Sequence, residues 1–119
     1  MSASMCRVLI VDDDADTREA LSAALSEAGF EVEEAFNGAE ALQRIAEGHE
    51  PDVVLLDLRM PGMDGEEFLE RMRDRRVRVI VLTGDASTRL LRFAREAKLL
   101  SKPVDLEALE AEVRNACAA

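Results

Sequence analysis

Aromatic side chains are scarce in this chain. It has four Phe and neither Tyr nor Trp in 119 residues, so any core it builds is aliphatic. Long apolar runs are missing as well: no stretch approaches the ~18 apolar residues of a membrane span. Met1 to Arg7 hold no apolar segment of the kind a secretory leader requires. Cysteine occurs twice, as Cys6 and Cys117 at opposite ends, with no CxxC pair and no metal-ligand spacing. That usage predicts two free thiols in a reducing, cytoplasmic setting, neither of them a credible nucleophile. Positive charge is outweighed, with 15 basic against 25 acidic residues and a net charge of −10. A nucleic-acid surface needs a cationic footprint, and anionic lipid needs basic clusters, so direct contact with either is disfavoured. Most of the acids read as solvated helix faces. The one histidine, His49, lies in a loop before Pro51 and reads as a surface residue rather than a phosphodonor.

What is present is a repeated pattern. Val8-Leu9-Ile10-Val11 runs into Asp12, Asp13 and Asp14, and Val53-Val54-Leu55-Leu56 runs into Asp57. Val79-Ile80-Val81-Leu82 runs into Thr83, and Leu99-Leu100-Ser101 runs into Lys102-Pro103. Short Val- and Ile-rich runs separated by helical stretches predict parallel strands buried on both faces. In an open parallel sheet, chemistry collects beyond the carboxyl ends of the strands. The pattern thus gathers carboxylates, a hydroxyl and an ammonium in one crevice.

Between the strands, helical spacing recurs. Asp14 or Asp16 caps a helix with Ala20, Leu21, Ala24, Leu25 and Ala28 inward, and Gly29 stops it. Phe30 to Phe36 alternates weakly, as an edge strand does. Asn37-Gly38 turns into a helix with Ala41, Leu42, Ile45 and Ala46 inward, closed by Gly48. Asp64 caps a helix burying Phe68, Leu69 and Met72. Ser87 or Thr88 opens a fourth, with Leu90, Leu91 and Ala94 on one face, and Asp105 caps a fifth carrying Leu106, Leu109, Val113 and Cys117. Five βα units with right-handed crossovers place helices on both sides of the sheet. Residues 1–119 read as one domain with no linker, repeat or output domain, and the Met1 start suggests a complete small protein.

The strand-end residues suit phosphoryl chemistry. Carboxylates crowded at Asp12 and Asp13 repel unless a cation neutralises them. Mg²⁺ is the natural choice, because it needs few protein ligands and keeps waters for an incoming phosphate. An EF-hand starting at Asp12 fails, since it needs Gly at Thr17 and Glu at Ala23. A DxDxT nucleophile loop fails on its spacing too. With a metal supplied by Asp12 and Asp13, Asp57 becomes a phosphoryl acceptor. Thr83 offers a hydroxyl and Lys102 a point-charge ammonium to the phosphoryl oxygens. Lys followed by Pro suggests a fixed peptide, with cis permitted, that aims the lysine. Taken singly, Thr83 is also a plain strand-end residue and Lys102 a surface lysine.

The stretches LIVDDDADTREAL, AFNGAEAL, PDVVLLDLRMPGMDG, VIVLTG and SKP resemble those of response-regulator receiver domains, over essentially the whole chain. The resemblance implies a flavodoxin-like (βα)5 α/β fold, with a doubly wound five-stranded parallel sheet in the order 2-1-3-4-5. By position it implies Asp12 and Asp13 as acidic Mg²⁺ ligands, Asp57 as phosphoacceptor and metal ligand, and Arg59 as donor of a backbone carbonyl to the metal. Thr83 is then the switch hydroxyl and Lys102 the phosphate-binding lysine. The implied donor is the phosphohistidine of a histidine kinase or phosphotransfer protein, and the implied output is contact with a downstream protein, as a monomer or a weak phosphorylation-dependent dimer. Self-phosphorylation and self-dephosphorylation at Asp57 would be the only chemistry, so the chain is not expected to be an enzyme.

Two departures from the family stand out. Between Thr83 and Lys102 the chain is shorter by about a helical turn, near Arg95-Glu96-Ala97-Lys98. Leu99 occupies the place, three before the lysine, where the family commonly has an aromatic that rotates inward. These leave two alternatives: a pseudo-receiver that binds partners without phosphorylation, and the receiver portion of a larger hybrid kinase or regulator. An enzyme acting on an external phosphate ester is disfavoured, because there is no cap domain and no separate general acid. Arg59 and Asp85 are expected to pair across the mouth of the pocket and modulate access of the hydrolytic water.

Overall fold

Four apolar residues in a row suit a strand only when both of its faces are covered, and that requirement organises the molecule. The computed structural model describes residues 5–58, 63–73, 75–84 and 97–118. Within them the chain runs β1 (Arg7–Val11), α1 (Ala15–Glu27), β2 (Glu31–Ala35), α2 (Gly38–Ala46) and β3 (Val53–Leu58). It continues as α3 (Met63–Met72), β4 (Arg78–Thr83), β5 (Ala97–Ser101) and α4 (Leu106–Ala118). The five strands form one parallel sheet in the order β2-β1-β3-β4-β5, as expected.

Strand periodicity divides the core in two. Val8, Ile10, Val53, Leu55, Ile80 and Leu82 pack with Leu21 and Leu25 of α1 and Leu109 and Val113 of α4. Leu9, Val11, Val54, Leu56, Val79 and Val81 meet Ala41 and Ile45 of α2 and Phe68, Leu69 and Met72 of α3. This is the doubly wound arrangement. β2 is an edge strand, with Glu33 and Glu34 only partly buried, which explains its weak alternation.

Local signals set the helix ends. Asp14 caps α1 by accepting the Thr17 backbone N–H at 3.1 Å, and Asn37 caps α2 by accepting that of Glu40 at 2.7 Å. Gly29 and Gly48 follow these helices with φ of 104° and 96°, a left-handed conformation that favours glycine. Asp105 caps α4, its carbonyl accepting the Leu109 N–H at 2.9 Å.

Several expectations need correction. Ala20 and Ala46 face solvent, because the buried stripes of α1 and α2 narrow to Leu21 with Leu25 and to Ala41 with Ile45. Leu106 is 54 % exposed at the rim of a groove between α1 and α4. Asp64 does not cap α3, which already begins at Met63. β5 begins at Ala97, paired to Val79, two residues before the Leu99-Leu100-Ser101 run. The helix expected from Ser87 or Thr88 lies outside the described residues.

The largest correction concerns the cysteines. Cys6 and Cys117 are not free thiols but a disulfide, with Cα atoms 5.9 Å apart across a sequence separation of 111. Cys6 leads into β1, and the last turns of α4 cross the same face of the sheet, so packing of that face brings the chain ends together.

Candidate functional site

At the carboxyl edge of the sheet the apolar strands give way to polar groups. Among the described residues, the polar or charged side chains that are buried are Asp12, Asp57 and Thr83, all at this edge. Burying such groups is costly unless they serve one another or a ligand. The three lie at the carboxyl ends of β1, β3 and β4.

Sheet register sets their neighbourhood. Val11 lies beside Leu56, Asp57 beside Leu82, and Thr83 beside both Leu58 and Ser101. Lys102, one residue past β5, ties its backbone N–H to the Thr83 carbonyl at 2.9 Å. From there its ammonium reaches Asp57 Oδ1 as an ion pair. The Asp57 side chain is only 2 % exposed, whereas that of Lys102 is 30 % exposed and can move toward the opening. The contact is a charge pairing: Oδ1 receives no hydrogen bond of regular geometry. The Lys102–Pro103 peptide is cis.

Asp12 is held from several directions. Its N–H donates to the Ala35 carbonyl at 3.1 Å, which fastens the end of β1 to β2. Its Oδ1 accepts the Asp14 N–H at 2.9 Å, fixing the carboxylate over the turn into α1. Asp14 is thereby committed to structure, and Asp13 stands exposed at the rim. The register places Asp12 and Asp57 at the ends of adjacent strands. Among the described residues, no three acidic, histidine or cysteine side chains form a ready-made metal cage. A hard cation remains compatible with this donor set. Mg²⁺ takes one or two carboxylates and fills its other positions with water and phosphate oxygen, and Asp57 Oδ1 keeps acceptor capacity beside Lys102. Arg59 and Asp85 lie outside the described residues, as does their expected pairing.

The sequence reading missed Arg18. From the second turn of α1 its Nη1 donates to the Asp12 carbonyl at 2.7 Å and its Nε to Glu34 Oε1 at 2.9 Å. The pair is partly shielded, with the arginine side chain 18 % exposed. It clamps the turn carrying Asp12 and Asp13 onto the edge strand. The available signal was an isolated arginine six residues past Asp12 in an acidic segment. Nothing in that spacing names Glu34 as its partner. Leu99 is half-buried, pairs with Val81 and packs on the α2/α3 side of the core. His49 is exposed, as expected.

The chain matches the family model described as response regulator receiver domain over residues 8–114. It is 36 % identical over 115 residues to sporulation initiation phosphotransferase F of Bacillus subtilis (strain 168), covering 92 % of this chain and 89 % of that protein. It is 42 % identical over 115 residues to regulatory protein AtoC of Escherichia coli (strain K12), covering 92 % of this chain but 25 % of that longer protein. Among solved structures, a CheY-like response regulator receiver domain protein from Methanospirillum hungatei JF-1 superposes with a TM-score of 0.86. The two share 32 % identity, and the match covers 97 % of this chain and 95 % of that one.

Proposed function

The chain belongs to the response regulator receiver family of two-component systems, and on that premise we propose that Asp57 is its phosphoacceptor, served by Thr83, Lys102 and a Mg²⁺ ion. The observation that carries this reading is the buried Asp57 carboxylate with the Lys102 ammonium already on it, at the sheet edge where Asp12 and Thr83 are the other buried polar side chains. An Asp57 carboxylate oxygen attacks the phosphorus of a phosphohistidine, the P–N bond breaks, and the imidazole leaves with the bonding pair. An acyl phosphate forms on Asp57, and water later hydrolyses it to restore the carboxylate. Asp12, Asp13, Asp57 and the Arg59 carbonyl would hold Mg²⁺, which when bound offsets the charge of carboxylates and phosphoryl oxygens.

The chain's own groups do the rest. The Asp14 N–H fixes one Asp12 oxygen, and Arg18 fixes the Asp12 backbone. Lys102 shifts from the carboxylate to a phosphoryl oxygen once the acyl phosphate forms, and the Thr83 hydroxyl donates to another. Because Lys102 and Thr83 are tied through the backbone, their rearrangement is felt along β5. Couplings of ~1–3 kcal/mol are typical of such switches.

The donor in this reading is a histidine kinase or phosphotransfer protein, the setting is the cytoplasm, and the output is contact of this receiver domain with a downstream protein. No described helix is long and apolar enough to cross a membrane. The test is intact mass after incubation with acetyl phosphate and Mg²⁺, beside Asp57→Asn. A labile, Mg²⁺-dependent gain of one phosphoryl group, absent from the variant, is expected. If no adduct forms and beryllofluoride also fails to bind, phosphorylation drops out and a phosphorylation-independent interaction module takes its place.

A further inference from the structure

The opposite end of the sheet carries charge that the phosphoryl chemistry does not use. Arg71, Arg73, Arg75, Arg76 and Arg78 fall within eight positions, with Asp74 the single acid among them. Five positive charges against one negative make a local +4 in a chain of net −10. Two of these arginines have local explanations. Arg71 pairs with Glu67 at 3.0 Å and Arg73 with Glu70 at 3.3 Å, in the last turn of α3 and just beyond it, where cations suit the carbonyl end of a helix. Arg75 approaches Glu50 at 3.4 Å in an exposed pair of little strength. Among the described residues, neither Arg76 nor Arg78 forms an ion pair.

Arg73, Arg75, Arg76 and Arg78 line a groove of about 680 Å³ between the α3–β4 connection, the loop before β3 and the end of α4. Its walls also include Pro51, Met72 and Val77, which are buried and apolar. Asp52 is there as well, but its carboxylate is committed to the Arg7 N–H at 2.9 Å. The volume falls in the range of small-ligand sites, ~300–1,000 Å³. Guanidinium forks match phosphate oxygens in pairs, and an apolar wall suits the organic part of a ligand. β4 alone separates Arg78 from Thr83 by ~17 Å, so a ligand here does not reach Asp57.

We propose that this groove binds an organic diphosphate, with Arg76 and Arg78 as its principal phosphate contacts and Pro51, Met72 and Val77 against its organic body. The test is an amide NMR titration of the full chain with ADP, in EDTA and low salt so that no metal supports the Asp57 site. Saturable shifts are expected at residues 72–78 and 116–117. Affinity should fall at least about tenfold in Arg76→Ser/Arg78→Ser and stay unchanged in Lys102→Ala. The double variant should keep its melting temperature and its acetyl-phosphate labelling at Asp57, which separates loss of the site from loss of the fold. Shifts confined to the surroundings of Asp12, Asp57 and Lys102 would overturn the proposal. So would equal affinity in the double variant, or no saturation up to about 10 mM.

Discussion

The Cys6–Cys117 disulfide makes this domain's stability depend on redox state, and the size of the effect follows from chain length. The bond closes a loop of sequence separation 111, nearly the whole chain. In the chain-entropy account, the unfolded-state entropy removed is about 2.1 + 1.5R ln n cal/mol/K, which for this loop is about 5 kcal/mol at 25 °C, the top of the range measured for disulfides. Unfolding entropy of ~2.1 cal/mol/K per residue gives about 250 cal/mol/K for 119 residues, so the bond is worth a shift in melting temperature of about 15–20 °C. The assay is thermal unfolding by circular dichroism of the oxidised protein, the protein in excess dithiothreitol, and Cys6→Ser/Cys117→Ser. The reduced protein and the double variant should melt together, with the oxidised form well above both. Amides in the last turns of α4 should exchange faster on reduction, because α4 then has no covalent tie to the start of β1. Co-melting of oxidised and reduced forms within about 3 °C would refute the reasoning. Recovery of two free thiols from the air-oxidised, folded protein would refute it as well. In a reducing compartment the pair stays as thiols and the domain lacks this increment.

Other perturbations test separate parts of the account. Arg18→Ala frees the Asp12 carbonyl and unpairs Glu34, and should raise the Mg²⁺ concentration needed for half-maximal phosphorylation by about tenfold, in the range seen for residues supporting metal ligands, with little loss of stability. A metal titration of acetyl-phosphate labelling checks it, and an unchanged midpoint would count against the clamp. Lys102→Ala removes the cation on a buried carboxylate, and should slow labelling of Asp57 without abolishing Mg²⁺ binding, as followed by intact mass and by metal-induced shifts. Phe68→Ala empties the largest fully buried side chain among the described residues and should cost ~3–5 kcal/mol in urea unfolding. Asp14→Ala removes the α1 cap and should cost ~1 kcal/mol in the same assay.

Much of this molecule is legible along the chain because its signals are local. A run such as Val53 to Leu56 is a buried strand wherever it is placed, and Asp14, Asn37, Gly29 and Gly48 mark helix ends through contacts within a few residues. The polar residue closing each apolar run follows from the same reading, since in a parallel sheet all such residues emerge at one edge. The misreadings came where local spacing stopped being informative. Ala20 and Ala46 fit a helical stripe yet face solvent, because the sheet covers only a narrow arc of each helix. Asp64 has a capping residue's chemistry but sits inside its helix.

By itself, then, the sequence determined the αβ alternation, the aliphatic two-sided core and the candidate residues Asp12, Asp13, Asp57, Thr83 and Lys102. Tertiary structure alone decided which of them touch. It set Lys102 on Asp57, Arg18 between Asp12 and Glu34, Cys6 against Cys117, and the arginines after α3 around an open groove. The physical reason is range. Strand and cap signals act over a few residues, whereas each of these contacts depends on where helices settle on the sheet, and that is fixed by packing of residues distant in the chain.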